Sequence, residues 1–191
     1  MPFPTFAPAA SHAIAAGQCG LCATRRPAFT YARSAGLYEG TLREAVHAFK
    51  FAGKTALARV LAELAIEQCG EALRILPDVV VPVPLHRSRQ RERGFNQSAL
   101  LAACIARRLA VPCSAPLLRR RRPTRAQSDL SAGERRANVR GAFVASGGVA
   151  GRHVLVVDDV LTTGATVSEC AHALVGPGAV TVGVLTVARV A

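Results

Sequence analysis

The chain is 191 residues long, enough for one α/β domain with a sizeable core and a small appendage, and too short for two full domains. Lysine and arginine total 24 against 12 acidic residues, a net charge of +12 in which every cation except Lys50 and Lys54 is an arginine, so an anionic partner is expected. With 50% hydrophobic and 19% charged residues the composition excludes a disordered basic tail, and no apolar run reaches the ~18 residues that span a bilayer.

In chain order, residues 1–18 are apolar but carry Pro2, Pro4 and Pro8 and no cationic start. They are expected to form a loose extension rather than a secretory signal, which points to a cytoplasmic protein with reduced thiols and no membrane insertion. Cys19 and Cys22 have the spacing of a zinc-knuckle half-site. A structural zinc needs about four ligands, no second such pair exists, and His12 or His47 could complete the set only through the fold. The competing expectation is a reduced turn without metal. Cys69, Cys104 and Cys170 fall in apolar helical patterns and read as core packing.

From Thr41 the period becomes helical. Thr41 and Glu44 match a capping box, with Leu42, Val46 and Phe49 on one face. Leu57, Val60, Leu61 and Leu64 predict a second helix, running to about Ile75 with an interruption at Gly70. Pro77 and Asp78 break it, and Val79, Val80 and Val81 predict a strand buried on both faces. Residues 84–95 read as a loop, and Asn96 as the cap of a helix bearing Leu100, Leu101, Cys104, Ile105 and Leu109 on one face. Residues 119–130 have no period and read as a mobile basic loop. Ser131 and Glu134 suggest another capping box on a short helix ending near Gly141. The last third predicts a strand at 153–157, a turn at 158–163, a helix from about Gly164 to Val175, a stop at Gly176 to Gly178, and a strand at 180–187. This is a βαβ unit, hence a parallel sheet.

The chemistry concentrates in residues 154–166. An apolar strand ends in Asp158 and Asp159, then passes through Leu161, Thr162, Thr163, Gly164, Ala165 and Thr166 into a helix. A helix start offers unpaired N–H groups and partial positive charge, so it binds phosphate. The threonines add hydroxyl donors, and Gly164 lets backbone approach an anion. Carboxylates are poor phosphate ligands but good acceptors for sugar hydroxyls, so the layout suits a ribose 5-phosphate. The plain alternative, a pair of aspartates capping the next turn, does not account for the whole ordered pattern.

This segment resembles the phosphoribosyl pyrophosphate (PRPP) motif of type I phosphoribosyltransferases. The chain as a whole resembles the ComF family of competence-associated phosphoribosyltransferase-like proteins. The resemblance rests on Tyr38 to Gly40, Phe49 to Gly53, Val81 to His86, Arg91 to Gln97, Gln127 to Leu130 with Glu134 to Asn138, and Arg140 to Phe143, and runs from about residue 19 to the C-terminus. Such proteins usually begin with a four-cysteine zinc finger, of which Cys19 and Cys22 look like the second half.

The resemblance implies a parallel twisted sheet with helices on both faces over residues 41–191, preceded by an extension and partial zinc-knuckle segment at 1–40. It implies that Asp158 and Asp159 hold the ribose hydroxyls and are the catalytic carboxylates, that Leu161 to Thr166 cradle the 5-phosphate, and that Arg87, Arg91 and Arg93 take the pyrophosphate. Residues 119–138 would be the loop that closes over PRPP, and Mg²⁺ would bridge pyrophosphate and ribose oxygens, held largely by substrate and water. His86 is expected to be structural.

Two functions compete. One is transfer of ribose 5-phosphate to an unidentified nucleophile with release of pyrophosphate. The other is a catalytically weak competence protein that binds single-stranded DNA through Arg119, Arg120, Arg121, Arg122 and Arg125, with Arg87–Arg93 able to line the same phosphate-tracking surface, in company with other DNA-uptake proteins; the absence of tryptophan would leave such binding to the phosphate backbone. A PRPP-sensing regulator that binds RNA is a weaker third.

Overall fold

The computed structural model describes residues 27–73, 76–124 and 132–191. Along the chain run β1 (Tyr31–Leu37), α1 (Gly40–Phe51), α2 (Leu57–Cys69), β2 (Val79–Pro82), α3 (Arg87–Arg93), α4 (Gln97–Leu109), β3 (Leu118–Arg120), α5 (Ala132–Val139), β4 (Phe143–Ala145), β5 (His153–Leu161), α6 (Ala165–Val175) and β6 (Thr181–Arg189). The main sheet has the order β1-β6-β5-β2 and is parallel throughout. β3 and β4 make a separate antiparallel pair.

Successive side chains of a strand point to opposite faces, and here both faces are covered. Val79, Val81, Val154, Val156, Val182 and Val184 pack on one side with Val167, Cys170 and Leu174 of α6. Val80, Leu155, Val157, Leu185 and Val187 pack on the other with Phe49 of α1, Leu61 and Ala65 of α2, and Leu101 and Ile105 of α4. Burial on both faces explains why these strands read as unbroken apolar runs. Among the described residues no helix is long and apolar enough to cross a membrane.

Several expectations need correction. Residues 31–37 are a strand of this sheet, paired in register with β6 from Tyr31↔Gly183 to Leu37↔Arg189, so they do not belong with a separate N-terminal extension. β1 is an edge strand with no fully buried residue, which leaves no apolar signature to read. The boundary at residue 40 therefore does not separate 31–37 from the domain.

Helix α1 begins at Gly40 with Glu39 as its N-cap, and no side chain caps it; Gly40, at φ +49°, turns the chain into the helix before Thr41 can act as a cap. α2 stops at Cys69 and gives way to a 3₁₀ turn over Gly70–Leu73. The loop expected at 84–95 contains α3, which the apolar period could not reveal because no residue of it is buried. His86 caps α3 by accepting from Ser88 N–H through Nδ1 at 3.3 Å, in keeping with a structural role. Asn96 caps α4 as expected, its Oδ1 accepting from Ser98 N–H at 3.0 Å. The basic stretch after Leu117 is partly ordered as β3, while residues 125–131, including Ser131 of the second capping box, lie outside the described residues. β5 runs four residues beyond Val157, to Leu161, so Asp158 and Asp159 are strand residues rather than turn residues.

One glycine is dictated by packing. A Cβ on Gly183 would overlap the Tyr31 ring, which lies against the β6 backbone. Gly183→Ala is expected to destabilise the protein by about 1–3 kcal/mol in urea denaturation, and pairing it with Tyr31→Ala should recover part of the loss.

Candidate functional site

In a parallel sheet all strands end on one edge, and ligands bind where neighbouring strands send their connections to opposite faces. β2 and β5 are such neighbours: α4 follows β2 onto the α1/α2 face, while α6 follows β5 onto the other. The last β2 residue, Pro82, pairs with Val157. Asp158 to Leu161 therefore project beyond β2, opening a cavity of about 510 Å³. Its walls include Asp158, Asp159, Arg89, Arg93, Arg120 and Lys50.

Strand alternation gives the two carboxylates different surroundings. Asp159 continues the row of Leu155 and Val157, facing α1, and is only 4% exposed. Its Oδ2 lies 2.7 Å from Lys50 Nζ, and its Oδ1 accepts from Val160 N–H at 2.8 Å. Asp158 meets the start of α4, where Ser98 Oγ donates to its Oδ1 at 2.8 Å; the Asp159 N–H donates to the same oxygen at 3.0 Å. Burial, reinforced by the neighbouring Asp159 charge, pushes the Asp158 carboxyl up to about 7, against the pull of Ser98 and Lys50.

The phosphate-cradle residues divide. Leu161, Thr162, Gly164, Ala165 and Thr166 line the cavity together with Val167. Gly164 sits at φ +71° and admits the turn into α6, whose first intrahelical bond is Ser168 N–H to Gly164 C=O at 2.9 Å. The backbone N–H groups at the helix start are therefore without intrahelical partners, as in any helix of this kind. Thr163 does not line the cavity; its Oγ1 accepts from Ala165 N–H at 3.4 Å.

The arginine assignments change most. Of Arg87, Arg91 and Arg93, only Arg93 lines the cavity, and its companion is Arg89, four residues earlier. Because 87–93 is a helix, residues four apart share a face, and Arg87 and Arg91 fall on the exposed side. Arg93 is held by Gln97 Oε1 at 2.8 Å and lies 5.2 Å above the Phe51 ring. From the other basic run, Arg120 turns into the cavity over the Phe143 ring at 5.4 Å and donates to Thr124. Arg119 points outward. Arg121 and Arg122 donate to the Gly141 and Arg140 carbonyls at 2.9 and 2.6 Å, just past the end of α5. Arg125, Cys19 and Cys22 lie outside the described residues.

Lys50, Ser98, Arg89 and Tyr38 were not singled out as site residues in the sequence. Two of them carried a signal: Tyr38 and Lys50 fall in segments that support the family resemblance, Tyr38 to Gly40 and Phe49 to Gly53, and Lys50 is also one of two lysines in an arginine-rich chain.

Residues 54–191 match the phosphoribosyl transferase domain family. The chain belongs to that family. This phosphoribosyl transferase domain is 37% identical to the DNA utilization protein YhgH of Escherichia coli K12 over 175 residues, 90% of this chain and 77% of that one. It is 35% identical to competence protein F of Haemophilus influenzae over 166 residues, 83% of this chain and 72% of the relative, which agrees with the ComF resemblance. Among solved structures, the glutamine PRPP amidotransferase from B. subtilis superposes with a TM-score of 0.43 at 25% identity, covering 68% of this chain and 25% of that one.

Proposed function

We propose that this domain binds PRPP in the cavity at the ends of β2 and β5 and transfers its ribose 5-phosphate to a nucleophile, releasing pyrophosphate. The observation that carries the reading is the placement of two carboxylates beside a helix start on one wall, with Arg89, Arg93 and Arg120 on the same cavity. Asp158 and Asp159 would accept from the ribose hydroxyls, the 161–166 segment would hold the 5-phosphate, and the three arginines would receive the pyrophosphate. The nucleophile's electron pair forms the new bond to C1, the C1–O bond breaks, and its electrons leave with pyrophosphate; the nucleophile's proton passes to solvent or to a nearby acceptor. The arginines stabilise negative charge where it grows, on the leaving group, and the carboxylates face the sugar that becomes positive.

Among the described residues no group of three His, Cys, Asp or Glu could hold a metal, and Asp159 is already neutralised by Lys50. That donor set suits a magnesium ion carried by the substrate, which would neutralise pyrophosphate oxygens. Zinc on Cys19 and Cys22 is a separate proposal, tested by metal analysis of the purified full chain.

The experiment for the main reading is a thermal shift with PRPP and Mg²⁺; no rise in melting temperature would overturn it. Arg89→Gln or Arg120→Gln should each weaken PRPP by about tenfold, given 1.5–3 kcal/mol for a charged hydrogen bond, while Arg87→Gln should leave affinity within about twofold.

A role in DNA uptake is a second reading, favoured by the names of the relatives and by one observation. Arg87, Arg91 and Arg119 are exposed and lie off the cavity, outside the duty proposed for Arg89, Arg93 and Arg120. Single-stranded DNA would be held by its phosphates and released steeply by salt. A titration at low salt that detects no binding, or binding untouched by neutralising these arginines, would remove the reading.

A further inference from the structure

We propose that Lys50 is the positioning residue of the carboxylate pair: delivered from α1, it fixes Asp159 as the charged member, so that before ligand arrives the sugar-binding edge carries one negative charge rather than two. The inference rests on the ribose-binding reading of Asp158 and Asp159 and adds a residue from outside the PRPP motif to it.

Two adjacent carboxylates in one buried cavity repel each other, and the cheapest relief is one proton shared by the pair. Which oxygen carries it depends on the nearest cation. Lys50 Nζ touches Asp159 Oδ2 at 2.7 Å, while the polar group at the same distance range from Asp158 is the neutral Ser98 hydroxyl at 2.8 Å. The asymmetry is built into the fold: Phe49, next to Lys50, is fully buried against the sheet and anchors the end of α1 over the Asp159 face. The Lys50 side chain is 22% exposed and so reaches the carboxylate without being sealed from water.

The other groups facing the pair are Arg93 from α3, Arg120 from β3, and Cys170 from α6, with Arg89, Arg135 and Tyr38 also on the cavity wall. Arg93 acts electrostatically on Asp159 and Arg120 on Asp158, neither in salt-bridge contact as Lys50 is, and Cys170 is a buried thiol whose pKa is pushed well up by its burial. Among the described residues, Lys50 is the cation in salt-bridge contact with the pair. The Asp158 carboxyl at about 7 agrees with a proton kept on that side. In ligand-free protein Asp159 would thus be held ionised and oriented in advance, and Asp158 would lose its proton as donors from the sugar arrive.

The test compares the parent with two neutral variants, Lys50→Met and Lys50→Gln, and with Lys50→Arg. The first readout needs no ligand: ¹³C-carboxyl NMR of aspartate-labelled protein as pH is raised from about 4 to about 9, a range that brackets the ordinary and the raised carboxyl values. The neutral variants should move the pair's upper titration midpoint up by about one unit, and Lys50→Arg should return it to within a few tenths of the parent. The second is calorimetric PRPP affinity with Mg²⁺. The neutral variants should bind about tenfold more weakly near pH 7 and regain affinity toward about pH 8.5, with Lys50→Arg near the parent. A carboxyl titration unchanged in both folded neutral variants overturns the proposal. If the parent itself fails to bind PRPP at any pH, the proposed function falls, and the carboxyl titration still decides the role of Lys50.

Discussion

Asp158→Asn combined with Asp159→Asn should all but abolish the rise in melting temperature that PRPP with Mg²⁺ gives the parent. A ligand at about a hundred times its Kd stabilises by about 2.7 kcal/mol, which for a domain of this size is roughly 5–10 °C. The double variant keeps the shape of both side chains. The amide oxygen it places at position 158 can still accept from Ser98, and Lys50, freed of Asp159, is exposed enough to turn to water. What it loses is charged acceptors for the ribose hydroxyls, and hydrogen bonds to charged groups are worth about 1.5–3 kcal/mol each. Two such losses amount to at least a hundredfold in affinity, enough to cut the shift to about 1 °C or less at the same ligand concentration. A double variant that responds as the parent does would mean that PRPP is held elsewhere.

The second large effect is on stability as a function of pH. Asp158 has its carboxyl raised from 3.8 to about 7 in the folded protein. Between those values the native state holds a proton that the unfolded chain has released. The stabilisation this brings is complete below about pH 4 and is lost as pH rises through about 7. Its upper bound follows from about 3 pH units at about 1.36 kcal/mol each, about 4 kcal/mol. Asp158→Asn has no such proton to lose. Its melting temperature relative to the parent should therefore climb between about pH 4 and pH 7, by several degrees, and level off above that range. The comparison must be made as a difference, because the net charge of +12 gives both proteins a common pH dependence. A difference that stays flat across that range would show that Asp158 ionises normally. The two experiments meet in one place: PRPP affinity should improve over the pH range in which Asp158 ionises.

The sequence was most legible where burial was greatest. The valines of β2, β5 and β6 lie between two covered faces, and their unbroken apolar runs locate the sheet and hence its reactive edge. The helices with one buried stripe, α1, α2 and α4, were equally readable. Legibility failed at two kinds of element. β1 is an edge strand of mixed residues whose position is decided by a partner 152 residues further along, as the Ser34–Thr186 contact shows. α3 buries nothing, so its helical form left no period, and without the helix there was no means to see that Arg89 and Arg93 face one way and Arg87 and Arg91 the other.

The site divides along the same line. The aspartates, glycine and threonines of 158–166 are contiguous, and contiguity is what a motif records. Lys50 and Ser98 reach the site from α1 and α4, and only the packing of those helices on the sheet brings them there. Arg120 illustrates the reverse error. In a run of arginines the residues look equivalent, but strand pairing with β4 sends Arg120 inward and Arg119 outward, and Arg121 and Arg122 are spent on the carbonyls beyond α5.

The sheet order has a consequence for how the protein is made. Among the described strands β1 pairs with β6 alone, so the first of them to leave the ribosome cannot be seated in this sheet until the last one has been synthesised. Until then Tyr31 has no backbone to lie on, and the Ser34 hydroxyl has no Thr186 at 2.6 Å to bond. The nascent chain must carry an unpaired strand while every intervening element is made. Pairings of such sequence separation are slow to form and exposed to misassembly. Closing the sheet in this domain is therefore a late step of synthesis, and chains cut short of β6 would lose β1 from the sheet along with it.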